Sequence, residues 1–167
     1  MVHSIELVFD AETETAVRDI WAQLAAAGLP SQAPAARPHV TLTVAQRIDS
    51  RVDAELAAVA DRLPIGCILG ATVIFGRSHG VLARLVVPTV ELLDLHAQVH
   101  RVCAPYLVPG PMPNALPGQW TAHTTLARRI GPAKLGRAQR IAGRSDITGR
   151  FVGLRRWDGN TRTEYPL

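Results

Sequence analysis

Two short strings carry the side chains of this chain that are best suited to proton transfer. His39-Val40-Thr41-Leu42 and His123-Thr124-Thr125-Leu126 share the pattern His-x-Thr-Leu, and their histidines stand 84 positions apart in 167 residues. An imidazole gives and takes protons near neutral pH, and a hydroxyl two residues later can donate a hydrogen bond beside it. A repeat at about half of the chain length predicts two equivalent halves, each contributing one such pair.

The chemistry that fits two such pairs is displacement at phosphorus. One neutral imidazole can deprotonate the attacking water or hydroxyl, while a protonated imidazole on the other side of phosphorus donates to the leaving oxygen. His39 and His123 would divide these two tasks. Thr41 and Thr125 would donate hydrogen bonds to the non-bridging oxygens. This scheme requires neither a metal nor another cofactor.

Alternation predicts that each string lies on a β-strand with one buried face. The first strand has its polar side chains on one face, namely His39, Thr41 and Thr43, and its apolar side chains on the other, namely Val40, Leu42 and Val44. The second strand has His123 and Thr125 on one face, and its opposite face consists of Trp120, Ala122, Thr124 and Leu126. In each strand the imidazole and the hydroxyl therefore point the same way.

The periodicity of the whole chain predicts the order β-α-β-α-β-β-α-β-α-β-β. Strands are predicted over residues 3–9, 39–44, 65–75, 81–87, 120–128, 147–157 and 161–165, with hairpin turns at 76–80 and 158–160. Helices are predicted over residues 11–28, 51–63, 89–103 and 132–142. Asp10 is expected to cap the first helix, and Ser50 with Asp53 resembles a capping box for the second. Residues 104–119 hold five prolines and two glycines, which predicts a long irregular loop before the second histidine strand.

Composition indicates one compact domain or two small lobes with a shared core, since 47% of the 167 residues are hydrophobic and 19% are charged. The longest strongly apolar run, Ile65 to Phe75, is too short to cross a membrane, and the first residues do not resemble an export signal. Cys67 and Cys103 are too few for a disulfide framework. We therefore expect a cytoplasmic protein with reduced thiols and no membrane partner.

Positive charge is concentrated beyond the second string, although the net charge is only +4. The basic residues beyond that string include Arg128, Arg129, Lys134, Arg137, Arg140, Arg144, Arg150, Arg155 and Arg156. A phosphate-bearing partner would suit this concentration, and a solvated charged face is the alternative interpretation.

Paired His-x-Thr-Leu strings, one in each half, resemble the two-histidine (2H) phosphoesterase superfamily over the whole chain. The resemblance is to its LigT-like branch of 2'-5' RNA ligases and RNA 2',3'-cyclic phosphodiesterases. It implies an α+β class and a bilobal fold with two pseudo-symmetric antiparallel sheets and outer helices around a central groove. Residues 1–167 would form one bilobal domain with halves of about 1–87 and 88–167, between which strands can be exchanged.

The resemblance also implies roles for five residues. His39 and His123 match the catalytic histidines, and Thr41 and Thr125 match the phosphate-binding threonines. Arg128 matches an arginine that this branch often uses for the substrate phosphate. Strict alternation would point Arg128 away from His123, so either the strand bulges or the side chain curls around the strand end. Thr124 departs from the apolar residue that the family prefers at its place.

The activity implied is metal-independent opening of 2',3'-cyclic phosphates at RNA ends or in small cyclic nucleotides, or cleavage of 2'-5' linkages. A non-catalytic RNA- or nucleotide-binding module on the same fold is the alternative. A third interpretation is a metal-dependent hydrolase built on His96 and His100, although their apolar neighbours favour packing within the core.

The sequence leaves open which aromatic side chain would stack a base, with four candidates: Trp120, Trp157, Tyr106 and Tyr165. It also leaves open which histidine begins as the base and which of these substrates is used. A monomer is favoured.

Overall fold

The computed structural model describes residues 2–76 and 79–167. Its strands are β1 (His3–Phe9), β2 (His39–Ala45), β3 (Arg47–Ile48), β4 (Ile65–Phe75), β5 (Gly80–Val86), β6 (Leu107–Val108), β7 (His123–Ile130), β8 (Ile147–Asp158) and β9 (Thr163–Pro166). Its α-helices are α1 (Ala11–Ala26), α2 (Val52–Ala60), α3 (Val90–Cys103) and α4 (Pro132–Ala142). All the predicted strands and helices are present. In the predicted turn between β4 and β5, Arg77 and Ser78 lie outside the described residues.

The long segment between α3 and β7 is less irregular than predicted. A 3-10 turn covers Ala104–Tyr106, and β6 follows it and pairs antiparallel with β3. Further along the segment, the Met112 amide donates to the Val44 carbonyl at 2.7 Å, which attaches the segment to β2. The proline-rich composition predicted an irregular loop but did not predict the short β3–β6 strand pair.

The predicted cap of α1 is present, α3 has a cap that the sequence analysis did not predict, and the predicted capping box of α2 is absent. Asp10 accepts from the Thr13 amide at 2.9 Å, and Thr89 accepts from the Leu92 amide at 3.2 Å. The predicted capping box of Ser50 and Asp53 is wrong, because α2 has no side-chain cap. The Asp53 carboxylate is instead bound by the Arg156 guanidinium at 2.7 and 2.8 Å.

The main sheet is antiparallel throughout and runs in the order β2-β1-β8-β4-β5-β7, with β9 paired to β8. The strands at its two ends, β2 and β7, nevertheless contact each other. The sheet therefore curls until its edges meet, and we call the space between them the groove.

The long strand β8 divides the sheet into two arms. The His39 arm consists of β2, β1, the end of β8 and β9, and the His123 arm consists of β7, β5, β4 and the start of β8. Helices α2 and α3 pack with the first arm, and α1 and α4 pack with the second. Each arm therefore combines strands and helices from both halves of the chain. The predicted α+β fold is confirmed, with β8 joining the two predicted sheets.

The core lies between the sheet and the helices. Side chains on the faces of β1 and β5 that point away from the groove are buried, as are the apolar sides of the four helices. Gly149 on β8 lets α1 approach closely, since a Cβ there would lie 1.7 Å from Thr13 Oγ1. Among the described residues, no helix is long and apolar enough to cross a membrane.

Candidate active site

The two His-x-Thr strings meet at the groove. His39 and Thr125 line one narrow cleft, together with Arg128. Thr41 lines the adjoining cavity with His123 and Thr125. The five residues singled out in the sequence are thus brought together, although the two histidines lie on strands at opposite ends of the sheet.

A β-bulge on β7 turns Arg128 into the groove. The pairing with β5 passes from Thr125–Ala83 to Ala127–Leu82, so Leu126 has no partner of its own. Leu126 and Ala127 are consecutive and both fully buried, which shifts the alternation by one residue. Of the two alternatives for Arg128, the strand bulges, and its side chain lines the same cavity as His123.

β2 bulges at the matching position. Its pairing with β1 passes from Thr41–Glu6 to Thr43–Ile5, so Leu42 is the extra residue. The prediction that Thr43 shares a face with His39 and Thr41 is therefore wrong, because Thr43 is buried. Val44 returns to the groove instead, at the place that Arg128 takes on β7.

Both imidazoles are held in the same way. Nδ1 of His39 lies 2.8 Å from the carbonyl oxygen of Arg37, and Nδ1 of His123 lies 2.7 Å from that of Thr121. Each Nδ1–H donates to a carbonyl two residues earlier, which fixes the tautomer and the ring orientation. Nε2 of each ring is left to exchange a proton.

Two indole N–H groups hold the edge strands. Trp120 Nε1 donates to the Thr41 carbonyl at 2.9 Å, and Trp21 Nε1 donates to the Thr125 carbonyl at 3.1 Å. A carbonyl at the free edge of a sheet has no neighbouring strand to bond, so these side chains satisfy it. Because Trp120 precedes β7 and bonds β2, it also links the two sides of the groove.

His39 lies beside a buried ion pair. Oε1 of Glu6 is 3.5 Å from His39 Nε2, and Oε2 of Glu6 accepts from Arg155 Nε at 2.8 Å and Nη2 at 2.6 Å. Arg155 also pairs with Glu164, and its Nη2 lies 3.4 Å from His39 Nδ1. The floor of the groove under His39 is therefore charged.

His123 lies on an apolar floor. Its ring packs on Phe75 with 4.6 Å between the ring centroids. Across the sheet from Thr125 come Ala83 on β5 and then Val73 on β4. In the other arm the matching places across from Thr41 are taken by Glu6 on β1 and Arg155 on β8. Burial lowers the pKa of His123, the bond to the Thr121 carbonyl opposes this, and the charges of Arg128 and His39 lower it further. The surroundings of His123 therefore favour its neutral form.

The cavity beside His123 has a volume of about 590 Å³ and is lined mainly by apolar side chains, among them Val44, Phe75, Met112 and Trp120. Asn114 and Gln119 add two amide groups to it. A second pocket, of about 380 Å³, opens on the other side of His39 and is lined by Arg37, Arg155, Trp157 and Arg162. The histidine pair therefore has room for a ligand on both sides.

The family model of the 2'-5' RNA ligase superfamily matches residues 9–157, a stretch that holds both strings. This chain belongs to the 2'-5' RNA ligase superfamily. The resemblance to two-histidine phosphoesterases drawn from the sequence is thereby confirmed. No curated protein sequence matches the chain.

Solved structures of similar fold cover nearly the whole chain. TT0787 of Thermus thermophilus matches with a TM-score of 0.63 and 17% identity, over 100% of this chain and 95% of its own. Escherichia coli LigT complexed with 3'-AMP matches with a TM-score of 0.56 and 14% identity, over 99% of this chain and 93% of its own. Kluyveromyces marxianus Usb1 with uridine monophosphate matches with a TM-score of 0.50 and 12% identity, over 99% of this chain and 98% of its own. At these identities the likeness concerns the fold that this member of the 2'-5' RNA ligase superfamily adopts.

Another histidine of this superfamily member, His96, supports the groove from behind. It is buried, its ring stacks on Trp120 with 4.0 Å between centroids, and its Nε2 is shared by the carbonyls of Leu42 and Ala115 at 3.0 and 3.1 Å. These carbonyls occupy Nε2, and within the described residues no group of three or more His, Cys, Asp or Glu side chains is placed to hold a metal ion. The predicted packing role of His96 is confirmed.

The arginines that follow the second string have unlike surroundings in this 2'-5' RNA ligase superfamily member. Arg155 and Arg156 are buried and paired with Glu6 and Asp53. Fewer basic side chains are therefore available to bind a phosphate than the sequence suggests. Arg128 lines the groove. The remainder are exposed: Arg129, Lys134, Arg137, Arg140, Arg144 and Arg150.

Sequence reasoning missed Glu6, Phe75 and Trp21 in the site of this superfamily member. Glu6 was detectable as a carboxylate in the middle of an apolar strand, a position that needs a buried partner. No local signal distinguished Phe75 or Trp21 from core residues. Of the four candidate base-stacking aromatics, Trp120 and Trp157 line the two sides of the groove, whereas Tyr106 bonds Glu55 and Tyr165 packs on Arg156.

Proposed function

We propose that this chain is a metal-independent phosphodiesterase that opens 2',3'-cyclic phosphates at RNA ends or in related nucleotides. The observation that carries the proposal is the pair of imidazoles at one groove, each of which is tied to a backbone carbonyl through Nδ1, so that Nε2 is the nitrogen available for proton exchange. Two such groups supply both proton transfers of a displacement at phosphorus.

In the proposed reaction a water oxygen attacks phosphorus while one imidazole takes its proton. The bond from phosphorus to one ribose oxygen breaks, and the other imidazole donates the proton which that oxygen needs. Thr41, Thr125 and Arg128 hold the non-bridging oxygens, where negative charge grows in the transition state. The product is a phosphate monoester, and the two histidines return to their starting states through solvent.

A nucleobase suits the cavity beside His123. Its walls are apolar and aromatic, with Phe75 and Trp120 on them, and the amides of Asn114 and Gln119 can bond a base edge. Structures of similar fold hold 3'-AMP and uridine monophosphate, which supports a nucleotide ligand here.

The pocket beyond His39 supports an RNA end over an isolated nucleotide. A phosphate between the two histidines leaves that pocket open to whatever continues from it, and Trp157 and Arg162 offer a stacking surface and a positive charge. We therefore expect RNA with a 2',3'-cyclic phosphate end to be a better substrate than a cyclic mononucleotide.

The test is hydrolysis of both substrates in excess EDTA by the whole chain. We expect turnover by the wild type and a loss of about 10²–10⁴-fold in each of His39→Ala and His123→Ala. His79→Ala is the matched control, because His79 is exposed and lines none of the three cavities at the histidine pair, and it should keep full activity. Full activity in both groove variants would overturn the proposal. Nucleotide binding by the wild type without any turnover would favour the binding-module alternative.

A further inference from the structure

We propose that the exposed side of α4 binds the sugar-phosphate backbone of RNA and so holds the body of a strand whose end lies in the groove. We call this side the α4 basic surface and define it by Lys134, Arg137, Arg140 and Arg144. The inference rests on the proposed function and deepens it, because it makes a strand of several nucleotides the ligand.

The α4 basic surface carries its charges on one side of the helix. Its four members are three or four residues apart, and all of them are exposed. Ala138 and Ala142 are fully buried and hold the other side of α4 against the core. Three residues rise about 4.5 Å along a helix, so the charges form a row that is longer than one phosphate group.

No carboxylate neutralises this surface among the residues that the structure describes. Helix α4 contains no acidic residue, and the ion pairs of the described chain include none of the four basic side chains. On α1, by contrast, Arg18 pairs with Glu14 one turn earlier at 2.8 Å. The acidic residue closest in sequence to the surface, Asp146, lies beside Gly70. Like charges three or four residues apart repel one another, and a bound polyanion relieves that repulsion.

A pocket of about 410 Å³ lies at the far end of the α4 basic surface. Arg140 and Arg144 line it, together with Thr72 on β4 and Gln139, whose Nε2 donates to Thr72 Oγ1 at 3.3 Å. No acidic side chain is among the described residues that line this pocket. Guanidinium, hydroxyl and amide groups are the usual donors to phosphate and sugar oxygens. The pocket therefore offers the row of charges a recess in which one phosphate or sugar can lie.

The α4 basic surface begins close to the cavity beside His123. Strand β7 leads from that cavity to α4, with only Gly131 between the two elements. The first turn of α4 packs on the start of β5, since a Cβ at Gly80 would lie 3.1 Å from Leu135. Val81, the next residue of β5, lines the cavity. The nucleotides that precede one bound in the cavity can therefore reach the first turn of α4 around the end of β5.

RNA is the partner whose chemistry fits this arrangement. A strand carries a negative charge at every nucleotide, and arginine and lysine provide most of the contacts that position such a backbone. An acidic protein would also carry negative charge, but a surface for it would have no reason to adjoin a cavity suited to a nucleotide.

The test is binding of RNA by the whole chain, measured by fluorescence anisotropy at several salt concentrations. The probe is an RNA of about ten nucleotides that ends in a 3'-phosphate, a length within the range that single-strand binding surfaces cover. In Lys134→Gln/Arg137→Gln/Arg140→Gln we expect the affinity to fall about tenfold or more, because contacts to phosphates are lost. The slope of log K against log salt should become shallower by about two for the same reason.

Kinetics separate this surface from the groove. In the same variant, kcat/KM for a cyclic mononucleotide should stay within about twofold of the wild type, since the groove is unchanged, whereas KM for RNA with a cyclic end should rise with the loss of affinity. A variant that was merely damaged would lose activity on both substrates.

Arg47→Gln/Arg62→Gln/Arg101→Gln is the matched control, because it removes the same charge from three exposed arginines outside α4. Its affinity for the RNA should fall by less than about threefold, which measures the effect of net charge alone. Urea denaturation of both triple variants checks that they are folded.

The inference is overturned if the α4 variant and the control variant bind the RNA equally well and with the same salt slope. It is also overturned if the wild type binds the longer RNA no more tightly than a dinucleotide with the same end, a measurement that needs no variant. The proposed function fails separately. RNA binding that depends on α4 without turnover of any cyclic phosphate would leave the α4 basic surface standing, and turnover of a cyclic mononucleotide with RNA binding indifferent to α4 would leave only the proposed function.

Discussion

The His39 arm and the His123 arm repeat one backbone design and differ in the side chains that it carries. Both edge strands hold a His-x-Thr string, bulge after the threonine, and accept an indole N–H on the threonine carbonyl. Yet Val44 occupies the position on β2 that Arg128 occupies on β7, and Glu6 stands where the other arm has Ala83. Symmetric backbones can thus bring two similar groups to one groove while the side chains around those groups differ.

The arms also bury their arginines differently. In the His39 arm Arg155 and Arg156 are paired with carboxylates. In the His123 arm the hydrogen bonds of Arg84 go to backbone carbonyls, those of Leu69, Ala142 and Ser145 at 2.7–2.9 Å and that of Gly143 at 3.5 Å. In the first arm the Glu6–Arg155 ion pair places two charges next to His39. In the second arm the same residue type ties the end of α4 to β4 and leaves the groove apolar.

Arg84→Met tests that structural role and has the largest expected effect. It removes the donor from the buried carbonyls of Leu69 and Ala142 and from the partly buried carbonyl of Ser145, so we expect a loss of about 3 kcal/mol in the free energy of unfolding, measured by urea denaturation. Arg137→Met, at an exposed position of α4, should change it by less than about 0.5 kcal/mol. Equal losses in the two variants would contradict a specific role for Arg84.

Arg128→Val makes the two edge strands alike after their bulges. We expect kcat/KM for a 2',3'-cyclic nucleotide to fall about 10–100-fold, because a charge-assisted hydrogen bond to the phosphate is lost. The matched change on the other strand, Val44→Ala, removes no polar group and should lower it less than about threefold. A similar loss in both would mean that the position after the bulge matters for packing and not for charge.

Trp21→Phe tests whether the edge of β7 needs its indole donor. The Thr125 carbonyl loses one hydrogen bond, so we expect a loss of about 1 kcal/mol in the free energy of unfolding. Trp120→Phe removes the matching bond from β2 and also alters the stack on His96, and it should cost more. Thermal unfolding of the two variants side by side checks the order, and a larger loss for Trp21→Phe would contradict it.

Phe75→Ala sharpens the contrast between the imidazoles and has the smallest expected effect. Activity that depends on neutral His123 is lost as the pH falls through its pKa, which burial holds below the usual 6.5. Opening the ring to water raises that pKa, so the acidic limb of kcat/KM should move up by about half a pH unit. The alkaline limb should stay in place, and an acidic limb that does not move would argue against burial as the cause.

The local sequence predicted most of the elements because its signals are local. Asp10 and Thr89 stand at the starts of predicted helices, and the alternation in His3–Phe9 predicts a strand. The capping box at Ser50 failed because Asp53 is bound by Arg156, more than a hundred residues away in the chain. Alternation failed at Thr43 because a bulge depends on the partner strand, which the string itself does not specify.

The sequence alone determined that two His-x-Thr pairs exist, which family they indicate and which elements carry them. Only the tertiary structure decided that Arg128 faces the groove, that Arg155 is half of a buried ion pair, and that one histidine has a carboxylate neighbour. The physical reason is distance along the chain. The secondary structure around a side chain depends mostly on residues close to it in the sequence. Its electrostatic surroundings come from strands that are distant in the sequence and meet only when the sheet curls.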